Sequence, residues 1–191
     1  MIPKTRLDAL TDGVFAFAMT LLVLNLALPE GFRPANDGDL VAALRDLNGP
    51  LIAYVVSFFV LGLRWMGQAR TKEDPEIGSA AYAWAVLFHL FFITLLPFST
   101  MLVGRYDDFA AAIWIYAANM VASSLAAIRI SILAERETGH RPEHTGRIDL
   151  TVLAASALLS VAISFVSPKL AMWAYLLNVA SPFVRKWTGR S

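Results

Sequence analysis

The sequence contains no cysteine, only three histidines and few charges: 16% of its 191 residues are Asp, Glu, Lys or Arg. The missing cysteines exclude disulfides and thiolate metal sites. The shortage of charge argues against a soluble domain, which carries about 25% charged residues. No nucleophile–base arrangement, glycine-rich phosphate loop or pair of intramembrane carboxylates is present, so nothing in the chain points to an enzyme. Internal repeats and low-complexity segments are also missing. So is the alternation of apolar and polar residues over about ten positions that marks a membrane β-strand.

What is present is apolar sequence, 57% of the chain, gathered into long runs. A helix needs roughly 20 mostly apolar residues to cross a bilayer. The runs lie at about 13–28, 50–66, 79–103, 109–133, 150–166 and 168–184. They predict an all-α polytopic membrane protein, one domain over 1–191 with six spans. Pro97 is expected to kink the third span. The turn Ser167-Pro168-Lys169 closes the last two spans into a hairpin. Residues 30–48 are polar, and 39–47 read as a surface helix or an early extension of the second span. The first run stays in the mature chain: Asp8 and Asp12 interrupt any cationic leader, and no A-x-A site follows Leu28.

Orientation follows from Lys and Arg. With six spans and a cytoplasmic N-terminus, the outer side holds only Arg33, Arg45, Arg105 and Lys169. The other twelve basic residues, among them Arg6, Arg64, Arg129 and Arg136, fall inside. Both termini are therefore predicted to be cytoplasmic.

The first run carries the polar residues that most need explaining. Arg6 and Asp12 stand at its edge, Thr20 and Asn25 deeper in. At 100° per residue, Gly13, Phe17, Thr20 and Leu24 share an arc of about 60°. Such a stripe suits close helix packing or the lining of a conduit. Asp12 lies off the stripe, and six residues separate it from Arg6. The two cannot pair along one helix, so each should reach another helix or subunit. Ionisable residues at the membrane are costly and usually paired or functional.

The run Arg6-x-x-x-Leu10-Thr11-Asp12 resembles the R-x-x-x-F-S-D signature. That signature opens the first helix of the endosomal/lysosomal potassium channel family called transmembrane protein 175, in its bacterial branch. Trp65 at the end of the second span and the segment 90–100 in the third are similar to later features of the family. The resemblance implies a homotetramer of six-helix subunits in the plasma membrane. The first helix would line a central pore that passes potassium with moderate selectivity, with K+ as the permeating ion and no cofactor. It places the pore constriction at Phe17, where the family has an aliphatic residue, a hydroxyl ring at Thr20, and further lining at Leu24 and Gly13. Arg6, Thr11, Asp12 and Trp65 would form a polar network at the inner mouth. Leu10 and Thr11 stand where the family has Phe and Ser. The chain has no Thr-Val-Gly-Tyr-Gly filter. Selectivity is therefore expected from a hydrophobic constriction with a hydroxyl ring one turn away. The competing readings are a secondary transporter or proton-coupled carrier, and a non-conducting scaffold.

Of the remaining polar residues, His89 is expected to be a packed, hydrogen-bonded histidine. His140 and His144 fall in a loop rich in Gly and Pro, where a metal site is not expected. Asn119 and Asn178 are expected to bond between helices. Ser156, Ser160 and Ser164 form a small-residue packing stripe. Arg129 is expected to snorkel to the interface.

Overall fold

The computed structural model describes residues 2–69, 77–139 and 144–175. The first span begins far earlier than the apolar run. Helix α1 occupies Lys4–Leu21 and tightens into a 3-10 turn at Leu22–Asn25. The polar residues 4–12 thus form its opening turns, which can protrude beyond the hydrocarbon layer. A short helix α2 follows at Asp37–Asp46. It is a separate element, one residue short of α3 at Asn48–Ala69. Asn36 caps it by accepting from the Asp39 amide at 3.0 Å, while Asp39 accepts from the Ala35 amide at 2.9 Å. This reciprocal arrangement satisfies amides that the first turn leaves open.

The third span consists of two helices. Helix α4, Ala80–Thr94, is capped by the Ser79 hydroxyl, which accepts from the Tyr82 amide at 3.1 Å. Helix α5, Leu96–Arg105, carries Pro97 in its first turn. Proline has no amide to donate to the preceding turn, and the break falls at Leu95, as the sequence predicts. Helix α6 runs over Ala110–Thr138 and ends at Gly139, whose φ of 70° closes it with a bond from its amide to the Glu135 carbonyl. Helix α7 covers His144–Ser164. It starts earlier than expected, since the loop predicted around Gly146 is its first turn, where glycine costs less than in a helix interior. His140 lies outside the described residues, as does Asn178. After Ser164 the chain turns, and α8 at Pro168–Ala171 with a 3-10 turn at Met172–Tyr175 opens the sixth segment.

Four segments are long and apolar enough to cross a membrane: Lys4–Asn25, Asn48–Gln68, Ala80–Arg105 and Ala110–Thr138. Within α7, Leu150–Ser164 is a shorter apolar helix. The chain is therefore a helical, polytopic membrane protein. The strand structure among the described residues is a two-residue ladder, β1 (Ile2–Pro3) antiparallel to β2 (Ile77–Gly78), which ties the N-terminal strand to the foot of α4.

The bundle interior is held by small residues and hydrogen bonds, as expected where lipid provides no hydrophobic drive between helices. Ser57 of α3 shares a hydrogen bond with the Tyr116 hydroxyl of α6 at 3.0 Å and accepts from Thr100 of α5 at 2.9 Å. Asn119 donates across to Ser99 at 3.3 Å. Ser156, Ser160 and Ser164 of α7 are buried, and the Trp114 indole of α6 donates to Ser164 at 3.0 Å. At one end of the α3–α5 contact, a Cβ added to Gly104 would lie 2.9 Å from the Pro50 Cα. Glycine there lets the two backbones touch.

Candidate functional site on the first helix

Of the four membrane-length spans among the described residues, the first is the one its own subunit covers least. Only 22% of its apolar window is buried, against 33%, 44% and 50% for the next three spans. The buried side chains are Lys4, Leu7, Phe15, Ala18 and Leu22. At 100° per residue their directions centre roughly opposite the Gly13–Phe17–Thr20–Leu24 stripe. That stripe faces outward along its whole length. Phe17 is 68% exposed and Leu24 66%, Thr20 is exposed, and nothing lies within 4 Å of a Cβ built on Gly13.

The geometry at Thr20 turns an oxygen acceptor outward. Its hydroxyl donates to the Phe17 carbonyl of its own helix at 2.8 Å. The proton is thereby turned back toward the backbone, and the oxygen's remaining lone-pair capacity is left free on the exposed face. Phe17 sits one turn earlier. A bulky apolar ring and an oxygen acceptor thus succeed each other along one line, a combination that can exclude water at one level and replace hydration at the next.

The opening turns hold the polar residues singled out from the sequence. The structure brings two of them together: the Trp65 indole of α3 donates to the Asp12 carboxylate at 2.9 Å. It does not bring in the others. The Thr11 hydroxyl donates back to the Leu7 carbonyl at 2.8 Å. Arg6 is exposed and makes no side-chain hydrogen bond among the described residues. At the far end, the Asn25 amide donates to the Pro97 carbonyl at 3.1 Å, fastening the first span to the break in the third. Helix α1 is held at both ends while its outward face stays open.

Sequence reasoning missed one arrangement behind this helix. Arg64 appears in the sequence only as an inner-side charge. In the fold its guanidinium turns into the bundle and donates to the Ser123 carbonyl of α6 at 3.2 Å. His89 of α4, 1% exposed, bonds to the same carbonyl at 3.1 Å, and its ring lies 6.0 Å from that of Phe15 on α1. Position 64, inside the apolar run and next to Trp65, was the available signal. A buried contact between three spans cannot be read from spacing alone. No group of three or more His, Asp or Glu side chains able to hold a metal ion occurs among the described residues.

Residues 6–97 match the model of the endosomal/lysosomal potassium channel TMEM175 family. A potassium channel of Chryseobacterium sp. is 28% identical over 123 residues, covering 64% of this chain and 60% of the relative. A potassium channel of Streptomyces collinus is 34% identical over 125 residues, covering 63% and 59%. The matched region thus spans about three fifths of the length of these curated relatives. The crystal structure of a lysosomal potassium-selective channel TMEM175 homolog from Chamaesiphon minutus superposes with a TM-score of 0.78 at 24% identity, over 92% of this chain and 94% of that one. The match begins at Arg6, at the head of the helix with the open Gly13–Phe17–Thr20–Leu24 stripe. Over residues 6–97 the chain is similar to the endosomal/lysosomal potassium channel TMEM175 family, and the bacterial relatives that it matches are potassium channels.

Proposed function

We propose that this chain is the subunit of a homotetrameric, potassium-permeable channel of the bacterial plasma membrane, moderately selective for K+ over Na+. It acts as one six-helix domain with both termini in the cytoplasm. Four copies of α1 surround the pore, with Phe17 as constriction, Thr20 as the hydroxyl ring, Leu24 toward the outer side and Gly13 toward the inner. Asp12 and Trp65 anchor the inner end of α1, and Arg6 and Thr11 belong to the same polar region. The observation that carries this reading is the outward Gly13–Phe17–Thr20–Leu24 face on the span least covered by its own subunit. Support comes from the potassium channels to which the chain is similar.

One helix cannot enclose a conduit, so the oligomer is a necessary element of the mechanism. A ring of phenylalanines closes the path to water, and their rotation opens it. Four Thr20 oxygens then substitute for some of the hydration shell. Such a site prefers K+ modestly, because it lacks the fixed carbonyl cage of a dedicated filter.

Potassium flux into liposomes tests this. The wild type should pass K+ faster than Na+. Thr20→Ala should lower that preference, and Phe17→Ile should raise the flux of both ions. Flux that saturates in fixed stoichiometry with protons would replace the channel by a carrier. The absence of flux in every variant would leave a scaffold.

A further inference from the structure

A groove of about 430 Å³ runs between α4 and α6. Ala81, Ala85 and Ala126 leave its floor open, and Trp84, Phe88 and Leu125 form its walls. Those three wall residues are exposed by 64%, 59% and 59%. The groove is therefore apolar, open to the outside of the subunit and stiffened by the Trp84–Phe88 ring contact at 6.4 Å. Arg129 belongs to the lining as its one charged side chain. It is exposed and has no hydrogen bond or ion pair among the described residues.

We infer that this groove binds one anionic phospholipid, its phosphate on Arg129 and an acyl chain along Trp84, Phe88 and Leu125. The groove lies on helices that cross a membrane, so acyl chains are the surrounding solvent. An aromatic-walled furrow with an alanine floor accepts a flexible chain and leaves no polar group of that chain unsatisfied. Arg129 supplies the complementary charge, and a guanidinium matches two phosphate oxygens at once. Depth agrees: Ala81, Ala85 and Trp84 belong to the first turns of α4, at the edge of the span Ala80–Arg105. Tryptophan prefers that level, and a basic side chain reaches the headgroups from there.

The test is native mass spectrometry of the full chain in detergent, with phosphatidylglycerol and phosphatidylcholine of identical acyl chains as probes. Wild-type protein should retain phosphatidylglycerol in preference to phosphatidylcholine. Arg129→Gln should weaken that retention about fivefold, the usual effect of one basic residue at an anionic membrane surface, and Arg129→Lys should restore most of it. Ala126→Leu, which fills the floor, should lower retention of both lipids. Equal retention of the two lipids by the wild type, or an unchanged Arg129→Gln, overturns the proposal. Displacement of phosphatidylglycerol by inorganic phosphate assigns Arg129 to free anions instead and also overturns it. So does crosslinking of Phe88→Cys to a neighbouring subunit, which would make the groove a subunit contact.

Discussion

At Gly13 a methyl group would meet nothing within 4 Å in the subunit. Alanine is the better helix former by roughly 1 kcal/mol. Gly13→Ala should therefore leave the folded subunit as stable or slightly more so, as read by thermal unfolding in detergent. Under the proposed function the same change narrows the inner pore and lowers potassium flux. A variant that alters neither property would remove Gly13 from the lining. The Asp12–Trp65 bond is exposed, so its net contribution is modest. Trp65→Phe should cost about 0.5–1.5 kcal/mol. Asp12→Ala combined with Trp65→Phe should cost less than the sum of the two single changes, because both remove one interaction. Additive effects would show that the contact at 2.9 Å carries no coupling.

At the scale of helices, two fastenings set the tilt of α1 and the shape of the third span. Asn25 ties the 3-10 end of the first span to the carbonyl of Pro97. Asn25→Ala should cost about 1 kcal/mol and, on the channel reading, change the ratio of open to closed time in single-channel records. Gly104 matters for a different reason. Its missing side chain is where the Pro50 backbone and the Ala53 methyl press against α5, at 2.9 and 3.3 Å. Gly104→Ala must push the backbones of α3 and α5 away from each other, so a loss of about 1–3 kcal/mol is expected, visible as a lower unfolding midpoint. Ser160 of α7 is likewise a small residue with no exposed surface.

For the whole molecule the decisive quantity is the assembly. The absence of cysteine makes crosslinking clean. Under the proposed function, a single Phe17→Cys in the full chain should oxidise to disulfide-linked dimers under mild conditions, because a narrow constriction would bring neighbouring copies near the usual Cα separation of about 4.4–6.8 Å. Light scattering of the wild type should give four protomers. A monomer in mild detergent, or Phe17→Cys that stays reduced while an α7 cysteine crosslinks, would place α1 against lipid and end the pore assignment.

Chain composition and run lengths by themselves determined a helical polytopic membrane protein, because crossing a bilayer imposes length and apolarity on each span separately. The break near Pro97 was also legible, since a missing amide acts locally. That Gly13, Phe17, Thr20 and Leu24 share one side of α1 followed from the angle per residue alone. Helix ends were less legible. The start of α1 at Lys4 and of α7 at His144 lie in polar sequence, where neighbouring elements rather than hydropathy keep the backbone helical. Only the tertiary structure decided which side of α1 its own subunit covers, that Trp65 meets Asp12 while Thr11 turns back on its own helix, and that Arg64 and His89 converge on the Ser123 carbonyl. These last three contacts between helices join residues 34 to 59 positions apart. Their geometry depends on how helices pack, and no local pattern in a single chain encodes that.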